Sequence, residues 1–249
     1  MALQRTNEPI LNAPAVVAWT IAALVAIHAA RTFLSSDEDT QILLYFAFIP
    51  ARYDATSPLA GLFPGGFAGD VWTFVTYSAL HGDWMHLGVN ALWLLAFGSA
   101  VAWRFGGVRF LLFMAATAAC GAGAHLLTHS GETVPMIGAS GAISGMTAAA
   151  IRFVFEPGAP MGQFRKRGYA AYAVPAVPVG DLFRSKQIVT FLIVWFGINL
   201  LYAVSSLSLE GGNTIAWQTH IGGFLSGLFL FPLFDPRHAV KAAEVDSGP

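Results

Sequence analysis

The chain has 249 residues, of which 55% are hydrophobic and only 11% are charged. An ordinary soluble domain carries about 25% charged residues, so this chain has too little polar material to cover a soluble core of its size. Its net charge of −1 gives no indication of nucleic-acid binding, and its single cysteine, Cys120, excludes an intramolecular disulfide. The composition therefore predicts an integral membrane protein whose surroundings are a lipid bilayer.

Six apolar segments follow one another along the chain, each close to the roughly 20 residues that a bilayer crossing requires. No segment shows sustained period-two alternation, and the first lacks the cleavage site of a signal peptide. We therefore predict an all-α bundle of six transmembrane helices, residues 14–234, between a short cytoplasmic N-terminus (1–13) and a cytoplasmic tail (235–249). The predicted spans are 14–34, 84–103, 108–128, 137–155, 187–207 and 216–234.

Two connecting segments are long. Segment 35–83 combines the polar SSDEDT, the apolar LLYFAFIP and the turn-rich GLFPGGFAGD, so we predict a first loop that is partly embedded in the membrane. Segment 156–186 is basic and rich in proline, which predicts a solvated loop.

The basic residues predict the orientation. With the N-terminus inside, all of the 13 Lys and Arg residues except Arg31 and Arg52 fall on the cytoplasmic side. This distribution follows the positive-inside rule. It predicts that both termini are cytoplasmic and that spans two, four and six begin at the outer face.

Polar residues occupy the first turns of these three spans and therefore lie at similar depth. Span two carries His86 and Asn90, span four carries Ser140 and span six carries His220. Polar side chains within a bilayer are costly and mark functional sites. Serine needs an adjacent base to become a nucleophile, and histidine serves at neutral pH.

The oxyanion of an acyl-transfer reaction needs hydrogen-bond donors. His86 and Asn90 are four residues apart and project from one helix face. The backbone N–H of Ser140 lies at a helix N-terminus, which favours an anion. These groups together predict a catalytic site.

Small residues predict how the helices approach. Gly138 permits a tight backbone entry before Ser140. Gly141 and Gly145 in span four, like Gly223 and Gly227 in span six, form small-xxx-small pairs that allow close packing.

Simpler interpretations remain open for single residues. GASG alone is most often a packing motif, and one histidine in a membrane helix is often structural. The G-x-S-x-G elbow of α/β-hydrolases is absent, because position 142 is Ala. No H-E-x-x-H motif occurs, so no metal is predicted. Ser144 is predicted to bond the backbone of its own helix.

Four motifs in this order resemble the rhomboid family of intramembrane serine proteases. They are VWTFVTYSALH at 71–81, HGDWMHLGVN at 81–90, GASG at 138–141 and THIGGFLSG at 219–227. The resemblance covers nearly the whole chain and implies the bacterial type with six transmembrane helices, located in the inner membrane.

The resemblance implies roles for five residues. Ser140 would be the nucleophile and His220 the base, in a dyad without a carboxylate. His86, Asn90 and the Ser140 amide would form the oxyanion hole, and His81 would be structural, bracing the first loop. The implied substrates are single-span transmembrane proteins cut near the outer leaflet, and no cofactor is implied.

Two positions depart from the family pattern. Many bacterial relatives carry Tyr where this chain has Ser144, so another ring must support His220, or its orientation is looser. Relatives often carry Arg after the loop tryptophan, whereas Thr73 follows Trp72 here, so a different contact must anchor the first loop.

The sequence leaves two alternative functions. A non-catalytic rhomboid-like protein that binds transmembrane clients is disfavoured, because nucleophile, base and oxyanion donors are all present. A proton-coupled transporter lined by histidines would require an acidic or lysine residue at mid-membrane, and no span has a central one. For a protease, segment 208–214 is predicted to be a lid hinged at Gly211 and Gly212.

Overall fold

The computed structural model describes residues 13–208 and 216–236. Throughout these residues the secondary structure is helical, apart from one isolated antiparallel bridge between Phe48 and Met136. Residues 1–12 of the predicted N-terminal segment, the hinge at Gly211 and Gly212, and nearly all of the predicted tail lie outside the described residues.

Nine α-helices are defined in the described residues. Helix α4 continues through a π-helical segment, Leu94–Gly98, into α5, so that Trp84–Phe105 is one continuous helix. Short 3₁₀ turns cover Pro50–Tyr53, Tyr77–Ala79, Gly168–Ala171 and Val179–Arg184. The α-helices are α1 Ala15–Arg31, α2 Ser36–Phe46, α3 Gly66–Thr76, α4 Trp84–Trp93, α5 Ser99–Phe105, α6 Gly107–Thr128, α7 Ser140–Ile151, α8 Lys186–Ser208 and α9 Trp217–Phe234.

A helix underlies each of the six predicted apolar segments, but the fourth is shorter than predicted. Helix α7 covers Ser140–Ile151, whereas the prediction was 137–155. Its start is delayed because Gly138 has a φ of +119°, which a helix cannot contain. By length and hydropathy, the two helices in the described residues that could each cross a membrane are Trp84–Phe105 and Gly107–Thr128.

The first loop contains two helices that the sequence analysis did not predict. Helix α2 begins at a capping box, in which Ser35 Oγ accepts from the Glu38 N–H and the Glu38 carboxylate accepts from the Ser35 N–H. Helix α3 begins at Gly66, and both Gly66 and the preceding Gly65 have positive φ. The loop is therefore folded into short helices between α1 and α4.

Helix α7 lies at the centre of the bundle. All of its residues after Ser140, from Gly141 to Ile151, are buried. A Cβ atom added to Gly223 would overlap the carbonyl oxygen of Gly141, and one added to Gly227 would overlap that of Gly145. The two predicted glycine pairs thus lie against each other, and α7 and α9 approach at backbone distance.

A buried ionic cluster closes the other end of these helices. Arg104 forms a bidentate pair with Asp235, with N–O distances of 3.1 and 2.9 Å, and its guanidinium lies over the Phe231 ring. Arg152 lies over the same ring and donates to the carbonyl of Val177. This cluster connects the ends of α5, α7 and α9 to segment 156–186, which was predicted to be solvated. Residues 161–170 are largely exposed, as predicted, whereas Ala171, Val174 and Leu182 are buried against the bundle.

Candidate active site

The first turn of α7 presents Ser140, and the backbone before it is clamped by the first loop. Met136 and Phe48 exchange two backbone hydrogen bonds of 2.8 and 3.1 Å. The N–H of Gly138 donates to the carbonyl of Tyr77 over 3.0 Å. Because Ser140 is the first helical residue, its own N–H has no partner within the helix. The Ser140 N–H is therefore available as a hydrogen-bond donor close to the Ser140 hydroxyl.

His220, on α9, faces Ser140 across the glycine contact. Its Nε2 lies 2.8 Å from Ser140 Oγ, although the two residues are 80 positions apart. The close approach of Gly141 and Gly223 makes this distance accessible to two short side chains. Both residues are partly buried. The geometry allows the imidazole to accept the serine proton.

His86 and Asn90 lie on α4, beside the turn that precedes Ser140. A Cβ atom at Gly138 would be 2.6 Å from His86 Nε2 and 3.8 Å from Asn90 Nδ2, so both side chains lie beside this glycine. Asn90 is buried and donates to the carbonyl of His86 over 3.1 Å, which leaves its second N–H available. Because Gly138 has no side chain, His86 and Asn90 can occupy the space beside it.

His81 lies behind His86. Its ring is fully buried, with its centroid 5.1 Å from that of His86. Its carbonyl accepts from Arg31 over 2.9 Å, and Arg31 pairs with Asp39 through two bonds of 2.7 and 3.0 Å. His81 therefore connects the end of α1 and the start of α2 to the candidate site.

Asn199, on α8, is a site residue that the sequence analysis missed. Its Oδ1 lies 2.7 Å from His220 Nδ1. The sequence predicted another ring or a loosely held histidine, and the structure has a side-chain amide instead. Ser144, in the position where relatives carry Tyr, donates to the carbonyl of Ser140 over 2.7 Å, which confirms that it bonds its own helix.

A different contact does anchor the first loop at Thr73. This side chain is fully buried, and its hydroxyl lies 2.6 Å from the hydroxyl of Tyr53. The neighbouring Trp72 donates its indole N–H to the carbonyl of Tyr45 over 2.8 Å. Hydroxyl and indole groups thus hold α3 against the last turn of α2 and the 3₁₀ turn that follows it.

A serine at the N-terminus of a buried helix, hydrogen-bonded to a histidine and preceded by a turn that packs against a second histidine and an asparagine, defines a candidate serine hydrolase site within a helical bundle. The family model described as Rhomboid domain matches residues 68–236. This range is more than half of the chain and contains all the candidate site residues, so the chain belongs to the rhomboid family. Rhomboid proteins are membrane proteins and generally intramembrane serine proteases, although some members are inactive. The comparison with curated proteins finds no significant match.

Proposed function

We propose that this protein is an intramembrane serine endopeptidase that uses Ser140 and His220. The observation that carries the proposal is the 2.8 Å contact between Ser140 Oγ and His220 Nε2 in a chain of the rhomboid family. A serine is a weak nucleophile until a base accepts its proton, and this contact provides the base.

The proposed reaction has two stages. His220 Nε2 takes the hydroxyl proton as Ser140 Oγ attacks the substrate carbonyl, and the carbonyl π electrons move onto the oxygen. That oxyanion accepts hydrogen bonds from the Ser140 N–H, His86 and Asn90. His220 then protonates the leaving amine as the C–N bond breaks, and a water molecule hydrolyses the acyl-enzyme by the same proton transfers.

The proposed substrates are single-span membrane proteins. A substrate helix hides its carbonyl groups in i→i−4 hydrogen bonds, so the cleaved stretch must first unwind. Unwinding in hydrocarbon leaves backbone groups without partners, whereas the polar groups around Ser140 supply partners. Small residues at the cut, and helix-weakening residues a few positions beyond it, are expected to favour cleavage.

The proposed topology has six crossings within the membrane domain 14–234 and both termini in the cytoplasm. This follows from the Lys and Arg distribution. The N-terminus of α7 then lies towards the outer leaflet. The proposed location is the plasma membrane, which is the inner membrane in a bacterium.

A serine-directed fluorophosphonate probe tests the proposal. We expect the purified protein in detergent to be labelled, and the label to be lost in Ser140→Ala. The matched control is Ser144→Ala, one turn further along α7, which should keep the label because its hydroxyl bonds the Ser140 carbonyl. Equal labelling of the wild-type protein and Ser140→Ala would contradict the proposal and favour a non-catalytic client-binding protein.

A further inference from the structure

Both nitrogens of the His220 imidazole have partners, and the two partners come from different helices. Nε2 contacts Ser140 of α7, and Nδ1 lies 2.7 Å from Oδ1 of Asn199 on α8. Asn199 is only 6% exposed. An amide buried among apolar helices is costly unless its groups are hydrogen-bonded, so this contact needs a physical account.

The second group of the Asn199 amide determines which way the amide faces. Its Nδ2 donates to the carbonyl of Trp195 over 2.8 Å, four residues earlier on the same helix. A backbone carbonyl can only accept, so the amide nitrogen must face Trp195 and the amide oxygen must face His220. The local helix backbone therefore settles the orientation of the amide.

This orientation has a consequence for the imidazole. An amide oxygen can only accept, so the His220 Nδ1 that contacts it must carry the proton. A neutral imidazole has one N–H, which leaves the lone pair of Nε2 to accept from the Ser140 hydroxyl. The opposite tautomer would place a lone pair against the Asn199 oxygen.

We propose that Asn199 is a positioning residue that holds His220 in the Nδ1–H tautomer, and its importance for turnover rests on the proposed function. Asn199 acts through His220 and does not contact Ser140. In the Ser-His-Asp triad the carboxylate both orients the imidazole and stabilises its positive form. The neutral amide of Asn199 supplies the first effect without a full counter-charge.

A second contact one turn away keeps Asn199 in register with His220. Trp195 packs on Phe224, with ring centroids 4.4 Å apart, and both rings are buried. Trp195 precedes Asn199 by four residues, and Phe224 follows His220 by four. The Trp195–Phe224 pair and the Asn199–His220 pair therefore lie on facing sides of α8 and α9. The aromatic contact fixes the distance between the two helices and so the distance between Asn199 and His220.

The tautomer can be read directly by ¹⁵N NMR of histidine-labelled protein in detergent, with the His220 signals assigned by their loss in His220→Ala. We expect the wild-type protein to carry the proton on Nδ1. In Asn199→Leu, a signal for the Nε2–H form should appear. In Asn199→Asp, which keeps an oxygen facing Nδ1, the wild-type tautomer should be retained. A wild-type His220 protonated on Nε2, or an unchanged tautomer in Asn199→Leu, overturns the proposal.

Turnover provides the second measurement. Asn199→Leu should lower kcat roughly tenfold with little change in KM, and Asn199→Asp should recover most of the loss. Leu201→Ala, at an exposed position on α8, is the matched control and should leave kcat unchanged. A kcat for Asn199→Leu equal to that of the control overturns the proposal. Because the tautomer is read without substrate, a wild-type protein that cleaves nothing overturns the proposed function alone.

Discussion

The Ser140 hydroxyl depends on groups that its own helix does not supply. Its proposed base comes from α9, the hydrogen-bond partner of that histidine from α8, and the two proposed oxyanion donors from α4. Each side chain is short, so the helices must approach closely for the groups to meet. The Ser140–His220 contact therefore depends on how closely α7, α8, α9 and α4 pack.

The two side-chain donors on α4 are expected to act on the transition state rather than on substrate binding. Replacing either His86 or Asn90 with Ala should lower kcat more than it raises KM, because an oxyanion exists only during reaction. A dominant donor should cost about 10²- to 10³-fold in kcat. Cleavage of a single-span substrate in vesicles measures both constants. A change confined to KM would instead identify these residues as substrate contacts.

The sequence indicated some of these residues and not Asn199, although the signal was of the same kind. Ser140, His220, His86 and Asn90 were selected because they stand in the first turns of spans predicted to begin at the outer face. Asn199 is equally an amide in an apolar helix, but α8 is predicted to run outward. Asn199 therefore lies in the second half of α8, and it reaches the depth of Ser140 and His220 from there.

At the scale of the elements, α4 begins at a side-chain cap that also positions His86. Asp83 Oδ1 accepts from the His86 N–H over 2.8 Å. This hydrogen bond holds the pKa of the Asp83 carboxyl below its usual value. The same carboxylate thus starts the helix and fixes the backbone of a proposed oxyanion donor.

The cap predicts a dependence of stability on pH. Asp83→Ala should lower the free energy of unfolding by about 0.5–2 kcal/mol at neutral pH, whereas Asp83→Asn, also a good cap, should lower it little. Because the folded-state pKa is lowered, the cap contributes fully above the unfolded-state pKa of about 3.9 and is lost as pH falls through the folded value. Thermal unfolding from pH 7 to pH 3 measures this. Identical acid sensitivity in the wild-type protein and Asp83→Asn would show that Asp83 does not contribute to the pH dependence of stability.

The contact between α7 and α9 depends on glycine in both helices. Gly223→Ala should destabilise the protein by roughly 1–3 kcal/mol, since its methyl group would overlap the Gly141 carbonyl. Gly123→Ala, at a position on α6 with open space, is the matched control and should be neutral or slightly stabilising. Thermal unfolding of the two variants in the same detergent compares them. A Gly223→Ala protein as stable as the control would show that the helices separate at little cost.

At the scale of the whole molecule, the two ends of the bundle differ in character. The end that holds Ser140 contains the polar residues of the candidate site, whereas the opposite end is held by the pair of Arg104 and Asp235. Removing one partner of a buried ion pair typically costs about 3–5 kcal/mol. The ion pair of Arg31 and Asp39 at the first end is partly exposed, so we expect the proposed substrate segment to be accommodated at that end more easily than at the buried Arg104–Asp235 pair.

The proposed orientation predicts which loops are accessible from outside. In a Cys120→Ala background, Thr133→Cys in the α6–α7 connection should react with an impermeant thiol reagent in intact cells. Lys166→Cys, in segment 156–186, should react only after the membrane is broken. Both positions are exposed, so a difference in labelling reports sidedness rather than burial. The reverse pattern would place the candidate site at the cytoplasmic face.

The sequence by itself determined where the apolar helices lie, which glycines allow close packing and which motifs connect the chain to the rhomboid family, because hydropathy and spacing are local properties. Only the tertiary structure decided that α7 begins as late as Ser140, that the first loop clamps Met136 and Gly138, and that Asn199 meets His220. These contacts join residues 21 to 88 positions apart, such as the His220–Asn199 and Phe48–Met136 pairs. They depend on the depth and rotation of each helix against its neighbours, which are set by packing in three dimensions and have no local signal in the sequence.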